Sequence, residues 1–106
     1  IIQKREFWSL TFKVTLDTLD PRPDSETLVE SVLKHFPNRN KSLSLIDFGT
    51  GNGCLLLSLL SEYPCSFGIG VDISEKALEI ATENSRNLRL DKQSSFLLGD
   101  WAESIK

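Results

Sequence analysis

Asp47-Phe48-Gly49-Thr50-Gly51-Asn52-Gly53 is the stretch whose reading decides the fold. The apolar run Leu43-Ser44-Leu45-Ile46 before it reads as a buried strand, and Cys54-Leu55-Leu56-Leu57-Ser58-Leu59-Leu60 after it reads as a helix. A strand, a tight glycine loop and a helix make a backbone cradle for a small charged ligand. Glycine carries no Cβ, so the chain can turn sharply and lie against what it binds. The spacing is G-x-G-x-G with an acid two residues ahead of the first glycine. The dinucleotide fingerprint G-x-G-x-x-G would need glycine at Cys54 or at Leu56, so a nicotinamide dehydrogenase is disfavoured.

Working outward, the elements alternate. Phe7 to Leu19 is rich in Phe, Leu, Val and Thr and reads as extended, with a hairpin one form of it. Pro21-Arg22-Pro23 stops that segment and starts a helix, with Asp24 and Glu26 in its first turn, where acids favour the dipole. Leu28, Val29, Val32, Leu33 and Phe36 form its apolar stripe. Strand 43–48, the loop and helix 54–62 follow, and Tyr63-Pro64 ends that helix. Ser66 to Val71 is a second strand ending at Asp72, and Ser74 is an N-cap for a helix to about Leu88. Its inner face uses Ala77, Leu78, Ala81, Ser85 and Leu88. Ser95 to Gly99 is a third strand, ending at Asp100-Trp101. Such alternation implies right-handed crossovers and a parallel sheet, with ligands bound beyond the carboxyl ends of the strands. The glycine loop, Asp72 and Asp100-Trp101 all fall at those ends.

Composition narrows the function classes. The 106 residues are 40% hydrophobic and 25% charged, which suits one soluble domain or part of one. A net charge of −3 and the absence of a long basic run give no reason to expect nucleic acid or an acidic membrane as the main partner. No apolar run reaches the ~20 residues of a membrane span, and Ile1-Ile2-Gln3-Lys4 does not open a signal peptide. Cys54 and Cys65 stand in separate elements, so a reduced cytoplasmic setting is expected, with neither a disulfide nor a metal site. His35 lies near a helix C-terminus, where a cation is favoured, and no nucleophile–base constellation assembles around it. Phe7, Trp8 and Phe12 read as packing at the sheet edge.

The acid-led G-x-G-x-G pattern resembles motif I of the S-adenosylmethionine-dependent methyltransferases. That ligand carries an ammonium, a sulfonium and a carboxylate, so a lining of acids and free backbone N–H groups suits it. Asp72 would accept hydrogen bonds from ribose hydroxyls, the competing reading being a helix-capping acid ahead of Ser74. Trp101 would wall an adenine ring and Asp100 accept from its exocyclic amine, the competing reading for Trp101 being core closure. Asp47 would shape the turn or attract the ligand's positive groups.

A closer resemblance spans the chain. Arg5 to Val14, then Leu19-Asp20-Pro21-Arg22-Pro23-Asp24-Ser25-Glu26, Asp47 to Gly53, Val71-Asp72 and Gly99-Asp100-Trp101 are similar to the HemK-type protein-glutamine N5-methyltransferases. The P-R-P-D-S-E segment is the specific part; Asp20 stands where the family usually has an aliphatic residue. The resemblance implies an α/β, Rossmann-like class I methyltransferase fold in partial form, a parallel sheet with flanking helices preceded by a short β-hairpin. Residues 1–106 would be the N-terminal, cofactor-binding half of the catalytic domain. S-adenosylmethionine would be held by Asp47, Gly49, Thr50, Gly51, Asn52, Gly53, Asp72, Asp100 and Trp101, with Arg22 in the site wall. The reaction implied is methyl transfer to the side-chain amide nitrogen of a glutamine in peptide-chain release factors. The family's Asn-Pro-Pro-Tyr motif does not occur in this sequence, so a middle segment of a longer enzyme, inactive alone, is expected. Two alternatives stay open: a class I methyltransferase of another substrate, or a non-catalytic adenosylmethionine-binding module.

Overall fold

A computed structural model describes residues 3–14 and 23–100. Two strands, β1 (Gln3–Phe7) and β2 (Leu10–Val14), form an antiparallel hairpin, followed by helix α1 (Pro23–His35). Then come β3 (Ser44–Phe48), α2 (Cys54–Glu62), β4 (Phe67–Asp72), α3 (Glu75–Asn87) and β5 (Ser94–Leu98). β3, β4 and β5 pair in parallel in that order. The three elements read around the glycine loop, and the helix capped by Ser74, stand within a residue or two of their expected bounds.

The hairpin departs from expectation. It begins at Gln3, ahead of Phe7, and turns at Trp8-Ser9, both at positive φ (54° and 62°). Paired positive φ suits a two-residue hairpin turn, but glycine or asparagine normally supplies it. Here the Trp8 indole N–H donates to Glu62 Oε2 at 2.6 Å and its ring packs against the core, which holds the turn without those residues. The extended reading beyond Val14 falls on residues outside those described.

α2 is buried nearly all round, with Leu56, Leu57, Leu59 and Leu60 at its centre. Phe7 and Phe12 of the hairpin, Val29 of α1 and Leu90 join them in one core. The hairpin aromatics thus pack on the helical layer and not at a sheet edge. The reason is α2 itself: a helix with apolar residues on nearly every side needs cover beyond what the sheet gives it. Removing Leu57 to alanine would cost about 2–5 kcal/mol, the usual range for a buried leucine. Tyr63, fully buried, donates its hydroxyl to the Phe36 carbonyl at 2.7 Å and so ties the end of α2 to that of α1. Leu28, expected on the α1 stripe, is exposed instead.

Register fixes the two faces of the parallel sheet. Leu45, Asp47, Gly68, Gly70 and Phe96 share one face, where side chains of α2 and α3 lie. Ile46, Phe48, Phe67 and Leu97 share the other and are 62%, 40%, 46% and 51% exposed. β3 is an edge strand in this sheet.

Candidate functional site

The carboxyl ends of β3, β4 and β5 converge, as parallel pairing requires. The Gly49 and Thr50 amides both donate to the Val71 carbonyl, at 2.7 and 3.0 Å, so the loop leaves β3 and folds at once over the end of β4. The Gly51 amide donates to Asp72 Oδ2 at 2.8 Å, and the Ser74 amide to Oδ1 at 2.9 Å. Gly99, just past β5, donates to the Asp72 carbonyl at 3.0 Å. Gly49, Val71, Asp72, Ile73 and Gly99 line a cleft of about 180 Å³.

Gly49, Gly51 and Gly53 all have positive φ, of 72°, 56° and 79°. Their surroundings separate them. A Cβ on Gly49 or Gly51 would meet nothing within 4 Å, so both face open space where a ligand can approach. A Cβ on Gly53 would lie 3.1 Å from Leu57 and 3.2 Å from Ala81, so Gly53 is there for packing. Thr50 and Asn52 are buried beneath the loop. Asn52 Oδ1 accepts the Cys54 amide at 3.0 Å, which satisfies the first amide of α2 from just outside its Gly53 cap. Thr50 Oγ1 and Asn52 Nδ2 are buried without a hydrogen-bond partner. Such atoms at a loop over a helix start mark a place where polar groups are held ready or are strained.

One expectation changes here. The lining was expected to offer free backbone N–H groups, yet the amides of Gly49, Thr50, Gly51, Gly53 and Cys54 are taken by internal acceptors. A short loop folding back on its own strand satisfies its donors first. Asp72 clasps the loop through Gly51 and accepts the Ser74 amide ahead of α3, and each oxygen still has a second lone pair.

Burial raises the Asp47 carboxyl above its ordinary 3.8, and the neighbouring Asp72 charge adds to this. The nearby Thr50 hydroxyl opposes the shift, although its oxygen makes no hydrogen bond of ordinary geometry. Burial likewise pushes the Cys54 thiol up to about 12, helped by Asp47 and Glu26. Glu26 of α1 therefore lies within electrostatic reach of the start of α2. Arg22 and Trp101, two of the expected site residues, lie outside the described residues. Asp100 is exposed beside Gly99. Among the described residues no cluster of three or more His, Cys, Asp or Glu side chains could hold a metal ion.

Sequence reasoning did not single out Asn84. It is buried on α3, and its side chain reaches two places at once. Its amide donates to the Asn52 carbonyl at 2.9 Å and to the Lys13 carbonyl at 3.1 Å, and its Oδ1 accepts the Lys13 amide at 2.8 Å. The signal was a polar residue three past Ala81 on the inner stripe of α3.

A glycine loop, an acid at the end of the next strand and a cleft beyond a parallel sheet define a Rossmann-like ligand-binding domain. Comparison with known proteins carries this further. Residues 39–106 match the family described as methyltransferase domain, and the chain belongs to that family. Over 99% of its length it is 43% identical to the release factor glutamine methyltransferase of Rhodospirillum rubrum and 40% identical to that of Caulobacter vibrioides. It covers 32% and 36% of those proteins, so it spans about a third of the length of the curated relatives it matches. The HemK-type resemblance read from the residues is borne out by these relatives. Among solved structures, MccD protein superposes with a TM-score of 0.65 at 23% identity, over 76% of this chain and 35% of that one. M. capricolum TrmK, solved with S-adenosyl-homocysteine, superposes at 0.58 with 25% identity, over 74% and 33%. The class I methyltransferase fold is thereby shown, with the hairpin preceding it. No helix among the described residues is long and apolar enough to cross a membrane.

Proposed function

We propose that this chain forms the S-adenosylmethionine-binding half of the catalytic domain of a methyltransferase acting on the glutamine side-chain amide of peptide-chain release factors. The observation that carries the reading is similarity of about 40% along the whole chain to proteins of that name, with the loop and acid in place. Gly49 and Gly51 would admit the ligand, and Asp72 would accept ribose hydroxyls with its remaining lone pairs. Ile73, exposed at the cleft, offers an apolar surface to a flat ring, with Trp101 and Asp100 completing that end. Asp47, with Asp72 close by, supplies negative charge for a cationic ligand, and Arg22 joins the wall. Thr50, Asn52 and Gly53 serve by holding the loop.

When bound, adenosylmethionine supplies an electrophilic methyl on sulfur. An amide nitrogen is a poor nucleophile because its lone pair is delocalised, so it must be oriented in line with that methyl and its developing charge stabilised. We assign no residue of this chain to that task, and none as catalytic. The setting proposed is the cytoplasm, with release factor protein and not nucleic acid as the partner.

The test is transfer of a labelled methyl group from adenosylmethionine to a release factor by the full-length protein. Incorporation that vanishes when the acceptor glutamine is replaced supports the reading. Incorporation into another substrate class, or tight binding without turnover, would replace it by one of the two alternatives.

A further inference from the structure

Asn84 is 1% exposed, and three of its hydrogen bonds go to backbone atoms of segments far apart in sequence. With Lys13 it makes a two-point pair, donating to the carbonyl and accepting from the amide, as a neighbouring strand would. Its second N–H goes to the Asn52 carbonyl inside the glycine loop. The peptide between Asn52 and Gly53 is held at its other end too, because the Gly53 amide donates to the Thr50 carbonyl at 2.9 Å. Asn84 therefore draws that carbonyl into the interior and fixes the turn of the loop at the residue before α2. The Lys13–Glu83 ion pair ties β2 to the same helix one residue earlier.

We propose that Asn84 is a positioning residue for the glycine cradle, coupling the docking of the N-terminal hairpin to the geometry of the loop that receives the cofactor. No other side chain of its size does both. Aspartate would keep the acceptor and lose both donors, and serine is too short to span the two partners. Two segments held by one buried amide share its geometry, so a ligand that orders the loop strengthens the hairpin's hold, and the effect is reciprocal. The ligand half of this inference rests on the proposed adenosylmethionine site.

The test is hydrogen exchange in the full-length protein, wild type against Asn84→Asp and Asn84→Ala, with and without S-adenosylhomocysteine. Without ligand, the variants should exchange faster by about tenfold, a typical coupling factor, in both residues 10–14 and 49–53, while residues 94–98 keep wild-type rates. A purely structural loss would speed all three segments together. With ligand, wild-type residues 10–14 should gain protection and the Asn84→Asp protein should not. Equal protection in wild type and Asn84→Asp, or an effect confined to one of the two segments, would overturn the coupling. If both variants fail to fold, the wild-type comparison still decides: ligand that protects 49–53 and leaves 10–14 unchanged overturns it. If wild type does not bind the ligand, the adenosylmethionine reading fails, while the ligand-free comparison still decides whether Asn84 couples the segments.

Discussion

Gly51 and Asp72 meet across the mouth of the sheet: the amide of one donates to the carboxylate of the other at 2.8 Å. This bond joins the glycine loop to the end of the next strand, and one acid thus shapes the loop and lines the cleft. Asp72→Asn removes the charge and leaves one of two amides, Gly51 or Ser74, facing an NH₂ group. Adenosylhomocysteine binding by the full-length protein should weaken by about 1.5–3 kcal/mol, the range for a hydrogen bond to a charged group. Calorimetry checks this, and a change of a few tenths would reduce Asp72 to a helix cap.

Asp47 gives a pH signature. Its carboxyl titrates above 3.8 in the folded chain because burial, and then Asp72, disfavour the anion. The folded state therefore holds this proton more tightly than the unfolded state. The group's contribution to stability is greatest below 3.8 and is lost as pH rises through the raised value. Asp47→Asn should flatten the fall in stability over that window and leave the protein no less stable at neutral pH. Denaturant titrations at several pH values decide it; a variant that loses stability at neutral pH would show the anion to be stabilised by the fold.

The cysteines should separate by reactivity. Cys54 is buried with its thiol pushed up to about 12, and Cys65 is exposed. At pH 8 the thiolate fraction of Cys54 is roughly one part in 10⁴, and the thiolate is the reactive form. Iodoacetamide on the folded protein should give one adduct, at Cys65, and a second only in denaturant. Labelling of Cys54 at a comparable rate would mean that the start of α2 opens readily.

How much of this was legible beforehand differed by element. Strand, loop and helix around Gly49 to Gly53 were readable because the apolar runs are short, strongly patterned and punctuated by glycine and proline. The acids at the strand ends were readable because parallel topology dictates where ligands bind. The hairpin turn was not, because Trp8-Ser9 carries no turn signal and is held by Glu62, 54 positions away. Asn84 was missed for the same reason: its value lies in partners 71 and 32 positions distant. The internally satisfied loop amides were likewise beyond a pattern of residue types.

The open sheet face makes a stability prediction. Ile46, Phe48, Phe67 and Leu97 lie together on one face, and among the described strands β3 stands at the edge of the parallel sheet. Exposed apolar faces and strand edges invite association. Residues 1–106 in isolation should self-associate in light scattering, and Ile46→Lys with Leu97→Lys should shift them toward monomer. A monodisperse, cooperatively folding wild-type monomer would contradict this.

The glycine cradle as the adenosyl site is the central claim, and calorimetric titration of S-adenosylhomocysteine into full-length wild type, Gly51→Val and Gly70→Ala tests it most directly. Gly51 faces open space at a φ of 56°, so a branched side chain there enters the cradle and also strains the turn. A Cβ added to Gly70 would lie 2.7 Å from Phe96 and 2.8 Å from Thr50 Oγ1, so its variant costs about 1–3 kcal/mol of stability through overpacking. Saturable wild-type binding, weakened by more than about 1.4 kcal/mol, or tenfold, in a folded Gly51→Val, is the predicted result. Wild-type affinity in a folded Gly51→Val would contradict the account.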